Sequence, residues 1–189
     1  MINNTIIYLI GFAGTGKLTI AKEIIAKTNM KLVSNHLINN PVLSLIHADG
    51  KTPLPAEVWQ NIAKIRDVVF DAVAHLSPAE YSFIFTNELI EGNEIDLKIY
   101  RKIESIAAQR GSKFLPIRLI CEVDELCKRV VSEERKINHK MIDADAARQQ
   151  FIKTKVLTPD HSNTFTLDVT HITAKQAADV ILKRLIENK

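Results

Sequence analysis

The residues with the clearest chemical meaning lie near the amino end of the chain, in the segment IGFAGTGKLT from Ile10 to Thr19. This segment follows a short apolar run and precedes an amphipathic helical pattern. Glycines at positions 11, 14 and 16 permit a tight turn in which successive backbone N–H groups point at one anion. Lys17 adds a positive charge at the start of the predicted helix, whose N-terminus also attracts anions. These features together predict a loop that binds polyphosphate.

The segment departs from the phosphate-loop signature GxxxxGK[ST] at its last position. Leu18 stands where the signature requires Ser or Thr, so the hydroxyl that contacts Mg²⁺ is missing. Thr19 follows directly, but on a helix its side chain points in another direction. The alternative is a glycine-rich turn that only joins a strand to a helix, and the co-occurrence of strand, glycines, lysine and helix favours the phosphate loop. The predicted nucleotide contacts in this segment are Gly11, Ala13, Gly14, Thr15, Gly16, Lys17, Leu18 and Thr19.

Length and composition predict one domain over residues 1–189, since 46% apolar residues are enough for a sizeable core. We expect no membrane span, because no apolar run is long enough to cross a bilayer. The net charge of +3 argues against general nucleic-acid binding. Cys121 and Cys127 have a spacing unlike that of zinc motifs and are expected to be reduced, which suggests a cytoplasmic protein. Oligomeric state is not readable from the sequence.

The phosphate loop must be positioned by a sheet, and short apolar or β-branched runs alternate with helical patterns along the chain. The predicted strands are Thr5–Ile10, Lys31–Ser34, Ser82–Thr86, Phe114–Cys121 and Thr164–Leu167. Because most of these runs lack polar alternation, they predict a parallel sheet with helices on both faces.

Helix boundaries and buried faces follow from local patterns. Asn93 is predicted to cap a helix that Gly111 ends, and Thr173 with Gln176 forms a capping box before the last helix. On a long helix before the third strand, Arg66 and Asp67 are expected to face either solvent or the acceptor cleft, and solvent is the favoured interpretation. The predicted buried face of this helix consists of Val58, Ile62, Ile65, Val69, Ala72 and Leu76.

Polar residues follow the second and third predicted strands, where a parallel sheet binds its ligands. Asn35 and His36 come after the second strand, and Asn87 and Glu88 come at the end of the third. We predict that Asn35, His36 and Asn87 contact a small acceptor and that Glu88 is a candidate base for its hydroxyl group. Ordinary turn and capping chemistry is the alternative, and it is the favoured interpretation for Asn35.

A basic cluster follows the fourth predicted strand and contains Arg129 and Arg135, with Lys128, Lys136, His139 and Lys140 around them. Clustered cations stabilise phosphoryl groups in transfer reactions. A solvated helix end of mixed charge is the alternative. In a chain that already has a phosphate loop, the functional interpretation is favoured for Arg129 and Arg135.

These motifs together resemble the adenylate kinase-like and shikimate kinase-like group of P-loop kinases over nearly the whole chain, although only the phosphate loop is specific. The resemblance implies the P-loop NTPase fold, an α/β/α sandwich of three layers with five parallel strands in the order 2-3-1-4-5. It also implies ATP with Mg²⁺ and transfer of the γ-phosphate to a small molecule. By that likeness residues 129–142 form a small lid, Arg129 lies over the adenine, and Arg135 reaches the phosphates as a catalytic residue beside Lys17. Residues around 158–160 and 168–170 would border the base.

The departures from this group limit what the resemblance implies. Shikimate kinases have aspartates where this chain has Ser34, Asn35 and His36, so shikimate is an unexpected acceptor. No residue set is a certain metal site, and Leu18 leaves open how Mg²⁺ is held. Two functions therefore remain: a kinase with an unidentified acceptor, or a regulatory or adaptor module that binds ATP or GTP without efficient transfer.

Overall fold

Five β-strands form one parallel sheet in the computed structural model of the protein, which describes residues 2–49, 52–131 and 143–187. The strands are β1 (Thr5–Ile10), β2 (Lys31–Ser34), β3 (Phe83–Asn87), β4 (Lys113–Ile120) and β5 (Phe165–Asp168). Their order in the sheet is β2-β3-β1-β4-β5, and every neighbouring pair is parallel. The predicted fold class and strand order are confirmed, and the predicted bounds of β3, β4 and β5 were each shifted by one residue.

Seven α-helices lie in the described ranges: α1 (Lys17–Ala26), α2 (Asn35–Leu43), α3 (Ala56–Asp71), α4 (Glu94–Gln109), α5 (Val123–Val130), α6 (Ala144–Lys153) and α7 (Ala174–Glu187). The connection from β1 to β2, which contains α1, runs toward the β2 edge of the sheet. The connections from β2 to β3 and from β3 to β4, which contain α3 and α4, run toward the β5 edge. Because such crossovers are right-handed, α1 covers one face and α3 and α4 cover the opposite face. The central strand β1 is fully buried between these layers.

The local signals predicted at both ends of α4 and at the start of α7 are confirmed. The Asn93 side chain accepts hydrogen bonds from the N–H groups of Ile95 and Asp96 at the start of α4. Gly111 has a φ of 61° just beyond the end of that helix, a conformation that glycine adopts without strain. Thr173 and Gln176 make reciprocal backbone contacts of 3.2 and 2.8 Å before α7. These caps depend on residues close in sequence, which is why the sequence reveals them.

The buried face of α3 is predicted correctly at Val58, Ile62, Ile65 and Val69, which pack on the core, but differs at two positions. Ile62 and Phe70 are 0% and 2% exposed, and Arg66 lies between them on the same side, half-buried rather than in solvent. Leu76, predicted to be buried, is 76% exposed. A π-helical turn over Ala72–Leu76 extends α3, and in this wider winding Val73 is buried while Leu76 is exposed.

The remaining expectations concern cysteines and membranes. Cys121 and Cys127 are buried and unpaired with each other. Over the described ranges, none of the helices combines the length and the hydrophobicity that a membrane crossing requires.

Candidate functional site

The phosphate loop connects β1 to α1 and is shaped by glycines. Gly14 and Gly16 have φ angles of 91° and 79°, which a residue with a side chain adopts only with strain. A Cβ atom on Gly11 would lie 2.9 Å from the Leu119 carbonyl oxygen, so the loop also needs glycine to pass close to β4. Lys17 is the first residue of α1, and Gly16 precedes it without a side chain that could cap the helix. The loop therefore directs helix N-terminal N–H groups outward, as an anion site requires.

The Lys17 side chain folds back over the loop. Its Nζ atom donates to the carbonyl oxygens of Gly11 and Phe12 at 2.7 and 2.9 Å. The buried Thr15 hydroxyl also donates to the Phe12 oxygen, at 2.8 Å. These bonds hold the cation against the loop, where its charge adds to that of the helix N-terminus.

Glu88, just beyond the end of β3, reaches the phosphate loop. Its Oε2 atom accepts a hydrogen bond of 2.7 Å from the Ala13 N–H, and its Oε1 atom accepts one of 2.6 Å from Gln150 of α6. Phe151, next to Gln150, packs on Phe12 of the loop with a ring distance of 5.6 Å. The carboxylate therefore links the loop to α6, and it occupies an N–H group that also suits a phosphate oxygen.

Asn87 and Asn35 come together at the same edge of the sheet. Register pairs Asn87 of β3 with Ile10 of β1, directly before the loop. The Asn87 Nδ2 atom donates to Oδ1 of Asn35 at 3.0 Å, and the Tyr8 hydroxyl donates to Oδ1 of Asn87 at 3.1 Å. These three side chains form a continuous row of hydrogen bonds from the core to the first turn of α2, which we call the amide relay.

The preference for Asn35 as a helix cap was wrong. Ser34 is the N-cap of α2, since its hydroxyl accepts from the Leu37 N–H at 3.2 Å. Ser34 ends β2 with the extended backbone that a cap requires, so Asn35 falls inside the helix and its side chain pairs with Asn87 instead. His36 is the next residue of α2 and is partly buried.

A cavity of about 240 Å³ lies beside the loop on the side of α7. Its lining includes Thr15, Thr19, Arg129, Val169, Thr173 and Ala177. Arg129 pairs with Glu125 at 2.8 Å and donates from Nη2 to the carbonyl oxygens of Val169 and Thr170 at 3.0 and 2.9 Å. Thr19 and Arg129 both line this cavity.

Part of the predicted site lies outside the described residues. Arg135, with Lys136, His139 and Lys140, belongs to the range 132–142, which the structure does not describe. The predicted lid over residues 129–142 is thus described only at its start, where Arg129 belongs to the last turn of α5.

Two residues of the candidate site were missed from the sequence, Tyr8 and Gln150, and Arg66 was assigned to solvent in preference to the cleft, whereas it is half-buried. The pKa of Tyr8 is raised well above its ordinary value, mainly because the side chain is buried. The pKa of Arg66 is lowered, also mainly by burial, and Asp67, Tyr8 and Asp96 act against that shift. The spacing of Ile62, Arg66 and Phe70 at i, i+4 and i+8 indicates that Arg66 shares the buried face of its helix. The sequence has no such signal for Gln150 or Tyr8.

The described residues contain no cluster of three or more His, Cys, Asp or Glu side chains that could hold a metal ion. Leu18 offers no oxygen, and the Thr15 hydroxyl is engaged with the Phe12 carbonyl. A metal ion near the loop would therefore depend on ligand oxygens and water, with a contribution from Glu88 if that side chain leaves Ala13.

Comparison with known proteins gives structural matches only. No protein-family model matches the sequence, and no curated protein matches it significantly. A putative kinase from Chloroflexus aurantiacus matches with a TM-score of 0.69, at 15% identity and over 100% of both chains. A sugar kinase from a Janibacter species matches with a TM-score of 0.63 at 18% identity, over 97% of this chain and 95% of that chain. A gluconokinase from Sinorhizobium meliloti matches with a TM-score of 0.61 at 15% identity, over 98% and 95%. The chain has the fold of the P-loop small-molecule kinases.

Proposed function

We propose that this P-loop protein is an ATP-dependent phosphotransferase that moves the γ-phosphoryl group to a small-molecule acceptor. The observation that carries the proposal is the 2.7 Å hydrogen bond between Glu88 and the Ala13 N–H. It means that the polar residues after β3 lie within bonding distance of the phosphate loop. A phosphoryl donor on the loop and an acceptor at the strand ends would then be adjacent, as direct transfer requires.

The residues fit a nucleotide. The glycine loop supplies N–H groups, Lys17 supplies a charge for the phosphates, and the cavity beside Arg129 has room for a base. Val169 and Thr173 line that cavity, so the segment after β5 is the proposed wall for the base. When bound, Mg²⁺ supplies charge neutralisation at the phosphate oxygens. Leu18 requires that the ion be held mainly by those oxygens and by water.

The proposed role of Glu88 follows from its two hydrogen bonds. A polyphosphate on the loop competes for the Ala13 N–H and repels the carboxylate. Glu88 is then free to turn toward the acceptor hydroxyl and take its proton, while Gln150 keeps the side chain close to the loop. Arg135 remains the proposed second cation for the transferred group, by resemblance to the kinase group.

The test measures whether added metabolites increase the release of ADP from ATP in the presence of Mg²⁺. A pool of polar metabolites is divided into smaller pools until a single phosphorylated product is found. Lys17→Ala should abolish turnover and weaken ATP binding while the protein stays folded, because Lys17 acts on phosphate and not in the core. Glu88→Gln should keep ATP binding but lose most of the turnover. Unchanged ATP affinity and turnover in a folded Lys17→Ala protein contradicts the assignment of the loop.

Leu18 favours a second function, a regulatory or adaptor module that binds a nucleotide without efficient transfer. A hydroxyl at this position normally contacts Mg²⁺, and its loss reduces catalysis more than binding. The same assay separates the two functions. Tight nucleotide binding with no turnover over the full metabolite pool supports the module, and ADP release that needs one acceptor supports the kinase.

A further inference from the structure

Glu88 is bonded through both of its carboxylate oxygens. Oε2 accepts from the Ala13 N–H of the phosphate loop at 2.7 Å, and Oε1 accepts from Nε2 of Gln150 on α6 at 2.6 Å. We call these residues, Ala13, Glu88 and Gln150, the Glu88 bridge. A carboxylate and a phosphate present the same kind of anionic oxygen to a backbone N–H group. Glu88 and a polyphosphate on the loop are therefore competitors for Ala13.

Backbone pairing fixes the two segments that carry the Glu88 bridge. The segment after β3 and the segment after α6 form an antiparallel contact between Ile90 and Val156. Hydrogen bonds of 2.8 and 2.9 Å join the backbone of residues 89–91 to that of residues 155–157. Leu89 and Val156 are 0% and 2% exposed, so this pairing belongs to the core. The contact between Glu88 and Gln150 is therefore supported by packed backbone on both sides.

Helix α6 also packs directly on the phosphate loop. Phe151, the residue after Gln150, lies against Phe12 with a ring distance of 5.6 Å, and Phe12 is 9% exposed. The Phe12 carbonyl oxygen accepts from Lys17 and from the Thr15 hydroxyl at 2.9 and 2.8 Å. Contacts from α6, from the end of β3 and from the loop itself thus converge on residues 12 and 13. A change at Ala13 is felt by α6 as well as by the loop.

We infer that Glu88 is an internal competitor for phosphate on this loop and that Gln150 is the positioning residue that holds it there. The inference rests on the phosphate loop of the proposed function, and its binding part applies equally to a kinase and to a regulatory module. A polyphosphate that takes the Ala13 N–H expels the carboxylate by competition and by charge repulsion. Breaking the Glu88 bridge consumes part of the free energy of nucleotide binding.

The Glu88 bridge acts in opposite directions on binding and on turnover. The Gln150 amide holds the carboxylate in a defined orientation at Ala13, and a preorganised competitor lowers the affinity for nucleotide. The same amide keeps the carboxylate beside the loop after phosphate has displaced it, which is where the proposed base must be. Loss of the Gln150 amide should therefore raise nucleotide affinity and lower kcat. A variant that only loosens the fold would weaken both.

The experiment measures binding by isothermal titration calorimetry with two probes, AMP-PNP with Mg²⁺ and tripolyphosphate, which has no base. Gln150→Leu should raise the affinity for both probes about threefold to tenfold, the effect of about one hydrogen bond. In the turnover assay its kcat should fall about tenfold, because the carboxylate is no longer positioned. Leucine and glutamine both favour helix, so α6 should stay folded, and the melting temperature checks this.

Gln149→Leu is the matched control. It makes the same chemical change one residue earlier on α6, at a side chain that is exposed and outside the Glu88 bridge. The control should bind both probes with parental affinity and keep the parental kcat. Equal effects of Gln149→Leu and Gln150→Leu would show that the substitution acts through α6 in general, and the inference is then wrong.

A double-mutant cycle tests whether Gln150 acts through Glu88. Glu88→Gln keeps an oxygen for Ala13 but removes the charge, and should raise the affinity for both probes at least as much as Gln150→Leu does. Adding Gln150→Leu to Glu88→Gln should then change the affinity by less than about twofold. A full additional increase would show that Gln150 acts on the loop independently of Glu88, which contradicts its positioning role.

Binding and turnover are separate readouts, so this inference and the proposed function fail in different ways. Tighter binding in Gln150→Leu and Glu88→Gln, without turnover in any of the proteins, supports this inference and contradicts the kinase. Acceptor-dependent turnover with unchanged or weaker binding in Gln150→Leu supports the kinase and contradicts this inference. A parental protein that binds neither probe overturns both.

Discussion

Two constraints act on Gly14: a positive φ, and a backbone oxygen close to where a Cβ atom would lie. Gly92 has only the first constraint and Gly11 only the second. Gly14 has a φ of 91°, and a Cβ atom there would lie 2.9 Å from the Leu126 carbonyl oxygen of α5. Gly92 has a φ of 80° with nothing within 4 Å of such an atom. Gly11 lacks the positive φ, but its Cβ atom would lie 2.9 Å from the Leu119 carbonyl oxygen. Gly92→Ala therefore tests backbone strain alone, Gly11→Ala tests crowding alone, and Gly14→Ala tests both together.

The expected losses in the free energy of unfolding follow from these φ angles and contacts. The left-handed conformation costs alanine about 1–2 kcal/mol, which is the full effect expected for Gly92→Ala. Crowding against a backbone oxygen costs about 1–3 kcal/mol, because the oxygen belongs to β4 or α5 and moves little. Gly14→Ala should then lose about 3 kcal/mol, or roughly 6–12 °C in melting temperature for a chain of this size. The change in unfolded-chain entropy is common to the three variants and cancels between them.

The assay is urea denaturation of the three variants and the parent, followed by circular dichroism, with ATP affinity measured on the folded proteins. Gly14→Ala should be the least stable, and both loop variants should also lose ATP affinity because the loop shifts away from β4 or α5. Gly92→Ala should keep ATP affinity. The reasoning is refuted if Gly14→Ala is no less stable than Gly92→Ala, since crowding against α5 would then be absent.

Three further predictions concern the proposed nucleotide site. If the protein is a kinase, Leu18→Thr should keep the fold and lower the Mg²⁺ concentration that gives half-maximal turnover. If it is a regulatory module, the substitution should create turnover. A Mg²⁺ titration of the parent and the variant distinguishes the two outcomes. Arg129→Ala should raise the apparent KM for ATP about tenfold with a small effect on kcat, since Arg129 lines the cavity proposed for the base. Unchanged kinetics would show that Arg129 has a structural role only. The pKa of Asp168 is lowered by hydrogen bonds from the hydroxyl and N–H groups of Thr170, so its carboxylate stabilises the fold above the unfolded-state pKa of about 3.9. The difference in urea midpoint between Asp168→Ala and the parent should be full at pH 7 and shrink as the pH falls below about 4, and a constant difference across that range would contradict the assignment.

Features with local causes were predictable from the sequence. The phosphate loop, the strand β1 and the caps at Asn93 and Thr173 each depend on residues within a few positions of one another. The strand order was also correct, although it came from the resemblance to P-loop kinases and not from the strand patterns themselves. Burial on both faces explains why β1 and β3 could be recognised as short apolar runs without alternation, whereas β5 alternates between half-buried and exposed residues.

The composition of the acceptor side was only partly predictable. The polar residues after β2 and β3 could be selected, because ligands bind at the carboxyl ends of parallel strands. Their partners could not, since Asn35 and Asn87 are 52 residues apart and Glu88 and Ala13 are 75 residues apart. The contact of Asn35 with Asn87 depends on the register of β2 with β3, and that of Glu88 with Ala13 depends on the register of β1 with β3, both of which are properties of the assembled sheet.

By itself the sequence determined the fold class, the glycine loop before α1 and the caps of α4 and α7, because these follow from the chemistry of neighbouring residues. Tertiary structure alone decided that Arg66 is half-buried, that the Tyr8 hydroxyl bonds Asn87, and that Gln150 holds Glu88. Arg66 is half-buried because its helix buries Ile62 and Phe70, and Arg66 lies between them on the same side. A hydrophobic pattern assigns faces by apolar residues, so a cation within the buried face becomes visible only when the helix is packed on the sheet.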